Sequence, residues 1–400
     1  MLRSKFRLEK CNKALKKHKS DFMLDNFVEA KVKSVLRPLY LAQYLSLAPK
    51  YSILYDLITS NSYKFNAFVC MIATGVLAAW LYYVLDYWNQ CNGLLAATVF
   101  AYSVSLTIAF IFNSSITTTK SNNYAYLMIL IRRILKRFKF SKADARNVTA
   151  VNYVYIMSII MFNVLHYACR SDDSYGIFGL KIFTQFVYFS FDCNTIICVR
   201  ITNLLGNRID AWVTELYCVY QKCDKGHIEV DNTSLKTVIR DYEQMVEVFK
   251  IYCQVFKHTI LLTIVVIFFQ VLVNVQSMIL VSNSLINRKY YVHVKVWTRS
   301  ATLASLAWVK NIILLSLLSM EAENVNLKMK NSRVICLLLS VKEEPDDQFL
   351  DLCCLLRRQR QQANVWRGRR EPLPLDAALL PRFLAVVATY TVAILQFHFL

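Results

Sequence analysis

The sequence predicts an all-α membrane protein: seven transmembrane helices, a cytosolic N-terminus, an extracellular C-terminus and helical cytosolic extensions. Three observations carry this expectation. Hydrophobic residues make up 56% of the 400-residue chain, and mean hydropathy is +0.34, where soluble domains hold roughly 45–50% apolar residues. Seven runs reach or approach the roughly 20 mostly apolar residues that a span needs. Lys and Arg gather in the segments that join alternate runs, which fixes orientation.

The runs are 65–88, 93–115, 148–168, 175–199, 256–280, 300–318 and 383–399. The last is the shortest. A further stretch, 35–57, is interrupted by Arg37, Pro38, Pro49 and Lys50, so it reads as a re-entrant or interfacial segment. If it spanned, the total would be eight and one terminus would change side. Residues 334–341 are too few to span and are expected on the cytosolic side. The chain divides accordingly. Residues 1–64 form a cytosolic N-terminus with the re-entrant segment, and 65–199 hold spans one to four. Residues 200–255 are a cytosolic helical loop, 256–318 hold spans five and six, 319–382 are a second cytosolic loop, and 383–400 carry the last span.

With the N-terminus inside, the inner stretches hold 39 of the 47 Lys and Arg. The loop 116–147 is the clearest, because Arg132, Arg133, Lys136, Arg137, Lys139, Lys142 and Arg146 crowd the next span. A net charge of +20 would otherwise suggest nucleic acid. The basic residues sit between apolar runs and not on one polar domain, so no nucleic-acid partner is expected. Seven Gly and six Pro are too few for a long disordered or collagen-like segment. No short apolar leader with a small-residue cleavage site opens the chain, so no cleaved signal peptide is expected.

The inner segments carry their own patterns. Residues 127–138 alternate apolar and basic residues. They suit either an amphipathic helix on the inner leaflet or a solvated extension of the second span. Leu235, Val238, Tyr242, Met245, Phe249, Tyr252 and Phe256 follow a 3,4 spacing, a heptad seam that runs into the fifth span. Core packing within the chain and contact between subunits both fit it. Residues 342–374 turn from acidic to Arg- and Gln-rich, as a cytosolic loop or a patch for anionic lipid would.

Enzyme signatures are missing. No GxSxG, HExxH or P-loop pattern occurs, six His never pair at metal spacing, and twelve Cys form no CxxC. No enzyme activity, cofactor or metal is expected. Cys91 and Cys169 fall in outer loops, as free thiols or a disulfide. Sequons at Asn113, Asn147 and Asn232 all fall on the inner side, so none should carry glycan.

Polar residues inside spans are expensive and face a bundle interior or a cavity. Gln185, Tyr188 and Asp192 share a face of the fourth span. Gln270, Asn274 and Ser277 share one in the fifth, and Asn152, Tyr155, Asn163 and His166 one in the third. Trp80, Tyr83 and Asp86 mark the outer end of the first. The candidate ligand-binding residues are Trp80, Tyr83, Tyr155, Asn163, Gln185, Tyr188, Gln270 and Asn274: aromatic walls with a few hydrogen-bonding groups. The same stripes also suit contacts between membrane helices. Lys310, well inside the sixth span, needs a partner, and Asp192 is a candidate counter-charge.

The C-terminus carries the most specific signal. Thr389-Tyr390, five further residues and then Gln396-Phe397 close the last span, after the run Leu375-Asp376-Ala377-Ala378-Leu379-Leu380. With the length, span count and orientation, this pattern resembles the insect gustatory receptor family, in its divergent, bitter-like branch. Thr391 stands where the sugar-receptor branch usually has an acidic residue. The resemblance implies a tetrameric ligand-gated cation channel of the plasma membrane, homo- or heteromeric, in contact with membrane lipid. Each subunit would bind a small organic tastant among its first six spans, toward the outside. Four last helices would line the pore, with Thr389, Tyr390, Gln396 and Phe397 as its pore and gate residues. A ring of four Phe can dewet and a ring of Gln amides can solvate a cation. An insect odorant receptor shares this architecture. A G-protein-coupled receptor is the other seven-helix alternative, but no Asp-Arg-Tyr follows the third span and no Asn-Pro occurs.

Overall fold

The computed structural model of the chain describes residues 29–46, 49–54, 57–60, 93–137, 141–168, 175–224, 232–286, 291–341 and 377–399, with isolated positions between 65 and 82. The elements are α1 (Ala30–Leu45), β1 (Tyr51–Leu54), β2 (Leu57–Ser60), α2 (Gly93–Thr119), α3 (Ser121–Arg137), α4 (Lys142–Ala168), α5 (Tyr175–Asp224), α6 (Asn232–Ile286), α7 (Tyr291–Val341) and α8 (Leu379–Phe399). Five of the helices, α2, α4, α6, α7 and α8, are long and apolar enough to cross a membrane. This is the architecture of an all-α membrane protein. The run 65–88 lies largely outside the described residues, and the run 175–199 forms the first half of α5.

Local sequence explains the helix ends. Ser141 caps α4, its Oγ accepting from the Ala143 and Asp144 amides at 3.0 and 3.4 Å. Pro381 falls in the first turn of α8, where a missing N–H removes no helical bond. Pro38 lies inside α1, which nonetheless stays helical.

The helices α5, α6 and α7 have 50, 55 and 51 residues. At 1.5 Å per residue each is roughly 75–80 Å long, and the hydrocarbon core is about 30 Å thick. More than half of each helix must therefore lie outside a bilayer. Their polar halves pack together: Trp212 and Leu216 of α5, Tyr242 and Met245 of α6, and Ala322, Val325 and Met329 of α7 belong to one buried cluster. Gly206 permits the approach, since a Cβ there would lie 3.3 Å from Val325 Cγ2. Beside it, Lys328 pairs with Asp210 at 2.6 Å.

The heptad seam is an intrachain core. Val238, Tyr242, Met245, Tyr252 and Phe256 are buried and Phe249 is half-buried, while the Leu235 side chain lies outside the described residues. The Trp212 indole packs 4.8 Å from the Tyr242 ring, tilted by 40°, and donates to the Val238 carbonyl at 2.8 Å.

One expectation needs correction. The stretch 127–138 is neither a leaflet helix nor a solvated extension. A turn at Lys120 starts the separate helix α3, whose Leu127 to Leu135 are almost all buried. Four contacts lace it to α6. Lys120 Nζ donates to the Gln254 carbonyl (2.9 Å) and Tyr124 Oη to the Val255 carbonyl (3.2 Å). Tyr126 Oη donates to Glu247 (2.8 Å), and Arg137 pairs with Asp241. The stretch 35–57 packs into the bundle, which suits the re-entrant reading and not a free surface position. It contains most of α1 and the start of an antiparallel β1–β2 hairpin, with Tyr51 opposite Ser60 and Leu54 opposite Leu57. Val35, Leu36, Leu39 and Tyr51 are fully buried against the bundle. Apolar burial outweighed the four helix-disfavouring or charged residues that interrupt its apolar run.

Candidate functional site

A charge within an apolar helix must find a partner. Lys310 of α7 finds Asp192 of α5, with Nζ 2.5 Å from Oδ2 and both side chains largely buried. The ammonium also lies 5.2 Å from the centre of the Phe162 ring of α4, a cation–π contact. Asn163 Nδ2 donates to the same Asp192 oxygen at 3.4 Å and to the Ile159 carbonyl at 2.9 Å. Gln185 Nε2 donates to Asn163 Oδ1. His166 Nδ1 lies 3.0 Å from Gln185 Oε1. An amide oxygen only accepts, so the proton of this bond sits on Nδ1. Lys310, Asp192, Asn163, Gln185 and His166 thus tie three helices into one chain of polar contacts. Removing one partner of such a buried ion pair costs about 3–5 kcal/mol.

Asp192 also faces a cleft between α5, α6 and α7. Tyr188, Phe191 and Thr195 line it from α5, Thr263, Ile267 and Gln270 from α6, and Asn311, Leu314 and Leu318 from α7, with further aliphatic side chains. The enclosed space is small, about 20 Å³, room for about one water, so a larger ligand parts the lining or extends through the open side. Asn311 Nδ2 donates to Gln270 Oε1 at 2.8 Å. The Tyr188 ring stacks on Tyr102 of α2, 6.3 Å away. The walls are apolar, the hydrogen-bonding groups are few, and Asp192 is the carboxylate of the lining. A small molecule that is mostly apolar matches that composition.

The candidate ligand residues separate into groups. Tyr188 and Gln270 line the cleft. Asn163 and Gln185 belong to the polar chain beside it. Tyr155 lies elsewhere: its ring receives the Arg200 guanidinium at 5.6 Å. Arg200 also donates to Asn152 at 2.6 Å, and Asn152 donates to the Val35 carbonyl at 3.0 Å, which docks α1. Asn274 is half-buried one turn beyond Gln270 and is not in the lining. Trp80 and Tyr83 lie outside the described residues, as do Cys91 and Cys169. Asn311 and Thr195 are cleft residues that the sequence reading passed over. Asn311 follows Lys310 directly, and a polar doublet in an apolar run is the signal that marks it.

On α8, Leu379, Phe383 and Val387 are buried on one face. Thr389, Tyr390 and Gln396 are exposed, and the Phe397 side chain lies outside the described residues. The Tyr390 ring meets Phe268 edge-on at 5.3 Å, and Thr389 Oγ1 donates to the Ala385 carbonyl at 2.9 Å.

No protein-family model and no curated protein matches the chain.

Proposed function

We propose that the chain is a chemoreceptor subunit of the gustatory receptor type, a ligand-gated cation channel of the plasma membrane. It has seven spans, the N-terminus inside and the C-terminus outside, and it assembles as a homo- or heterotetramer. A small organic tastant, of bitter type, occupies the cleft between α5, α6 and α7. Four copies of α8 line the pore. The observation that carries the reading is the state of α8. An apolar helix that bears Thr389-Tyr390 and Gln396-Phe397 has one face packed on its own subunit. Thr389, Tyr390 and Gln396 are among its exposed positions. A helix with polar groups on its open face suits a central pore better than contact with lipid alone. In this topology the cleft residues fall mostly in the inner halves of their apolar runs, deeper than the outward-facing pocket that the resemblance implies.

In this reading Phe397 forms the hydrophobic constriction and Gln396 solvates the passing cation. Phe397→Ala lowers the dewetting barrier and should raise ligand-independent current. Gln396→Glu adds a ring of four charges and should change cation permeability ratios or divalent block. Current recordings with ion substitution, at matched surface expression, test both. Two mutants that conduct like the wild type would remove the pore from α8.

A further inference from the structure

The cleft holds hydrogen-bonding groups that the fold does not use. One bond joins the two amides, from Asn311 Nδ2 to Gln270 Oε1. It leaves the Gln270 Nε2 hydrogens and the Asn311 Oδ1 lone pairs without a partner among the described residues. A free donor and a free acceptor therefore stand a few ångströms apart in the lining. The threonine hydroxyls do not compete as donors. Thr195 Oγ1 donates to the Phe191 carbonyl and Thr263 Oγ1 to the Thr259 carbonyl, each within its own helix. Asp192 is compensated by Lys310 and Asn163, so the cleft carries no uncompensated charge.

We propose that the cleft takes an uncharged ligand with an amide-type edge on an apolar body, read by the Gln270–Asn311 pair, and that the Asp192–Lys310 pair excludes charged ligands. The ligand carbonyl accepts from Gln270 Nε2, and its N–H donates to Asn311 Oδ1. A site built to bond both groups rejects a molecule that lacks one, because a buried polar group is then stranded. A charged molecule loses its hydration on entry and meets a carboxylate that is already engaged. The inference rests on the ligand-binding part of the reading above and not on the pore.

The test is equilibrium binding to the full chain in lipid nanodiscs, read by saturation-transfer NMR. The probes are benzamide, N,N-dimethylbenzamide, benzylammonium and benzoate, which share one apolar body. Benzamide should bind the wild type about tenfold more tightly than the other three, the size of one buried hydrogen bond. The double variant Gln270→Leu with Asn311→Leu removes both amides together and strands neither. It should lose the benzamide preference while still binding N,N-dimethylbenzamide. Lys310→Met frees the Asp192 carboxylate, and benzylammonium should then gain about tenfold. Asp192→Asn combined with Lys310→Met should keep benzamide first and give benzylammonium no gain. If Lys310→Met fails to fold, the wild-type order and the amide double variant still decide. Equal binding of a charged probe by the wild type overturns the inference, as does an intact benzamide preference in the amide variant or no saturable benzamide binding. Amide-selective binding without evoked current would leave it standing and remove the channel reading. Evoked current without amide preference would do the reverse.

Discussion

Lys50 shows how one residue can depend on its whole surroundings. It is 0% exposed, and its Nζ has no hydrogen-bond partner among the described residues. The ammonium sits 4.5 Å from the Phe256 ring centre and 4.8 Å from that of Tyr124. Burial pulls its pKa down from 10.5 to about 8, with a smaller opposing influence from Cys198. A shift of that size corresponds to roughly 3 kcal/mol against the charged form. The two ring faces favour the charged form, and with a pKa of about 8 the amine is still mostly protonated at pH 7. Folded Lys50 binds fewer protons than the unfolded residue between about pH 8 and 10.5. Its contribution to stability therefore rises with pH across that window and is flat below it. Lys50→Met keeps the buried stem and removes the charge. It should be at least as stable as the wild type at pH 7, because the desolvation cost of the charge is gone, and should lack the wild-type gain above pH 8. Melting curves of both purified proteins across that window check this, and identical pH profiles would contradict it.

At the scale of the element, the α6 seam is the clearest case. Its period predicts a buried stripe, and the stripe is buried by Trp212 of α5 and by α3. Met245 is 3% exposed, whereas Phe249 is half-buried. Met245→Asp places a carboxylate in a sealed apolar site and should cost several kcal/mol. Phe249→Asp keeps partial access to water and should cost clearly less. Thermal unfolding of the detergent-solubilised protein should rank them in that order. Equal effects would show that the seam is open on the Met245 side. Because these positions are covered within the chain, the primary lesion is the subunit fold, and any loss of assembly follows from it.

For the whole molecule, three helices each roughly 75–80 Å long determine the shape. They outrun any bilayer, and their polar halves meet in one bundle. In the proposed orientation that bundle lies in the cytosol. Two tags test the arrangement. An N-terminal tag should stain only after permeabilisation, and a C-terminal tag should stain in intact cells. A C-terminal tag hidden until permeabilisation would reverse the orientation of α8 and remove an extracellular gate. Asn113 adds a check of a different kind. It is 1% exposed inside α2, so its sequon cannot receive a glycan on either side of the membrane.

The sequence by itself determined six of the seven apolar runs as helices, 93–115, 148–168, 175–199, 256–280, 300–318 and 383–399, because hydropathy and period are local properties. It also determined that Lys310 needs a counter-charge, since an unpaired ammonium among apolar residues is too costly to persist. What it left open is which faces meet. Tyr155 and Asn163 lie on one predicted stripe of α4, and both meet α5, Tyr155 at Arg200 and Asn163 at Asp192, a partner that the spacing does not name. Helical spacing names a face and not its partner. Only packing decided that α3 is buried against α6, that α1 and the β1–β2 hairpin close over Tyr124 and Phe256, and that Asn311 of α7 meets Gln270 of α6. Those contacts join residues far apart in the chain. Their geometry depends on how far each helix is rotated and translated against its neighbours, which the close packing of the whole interior sets.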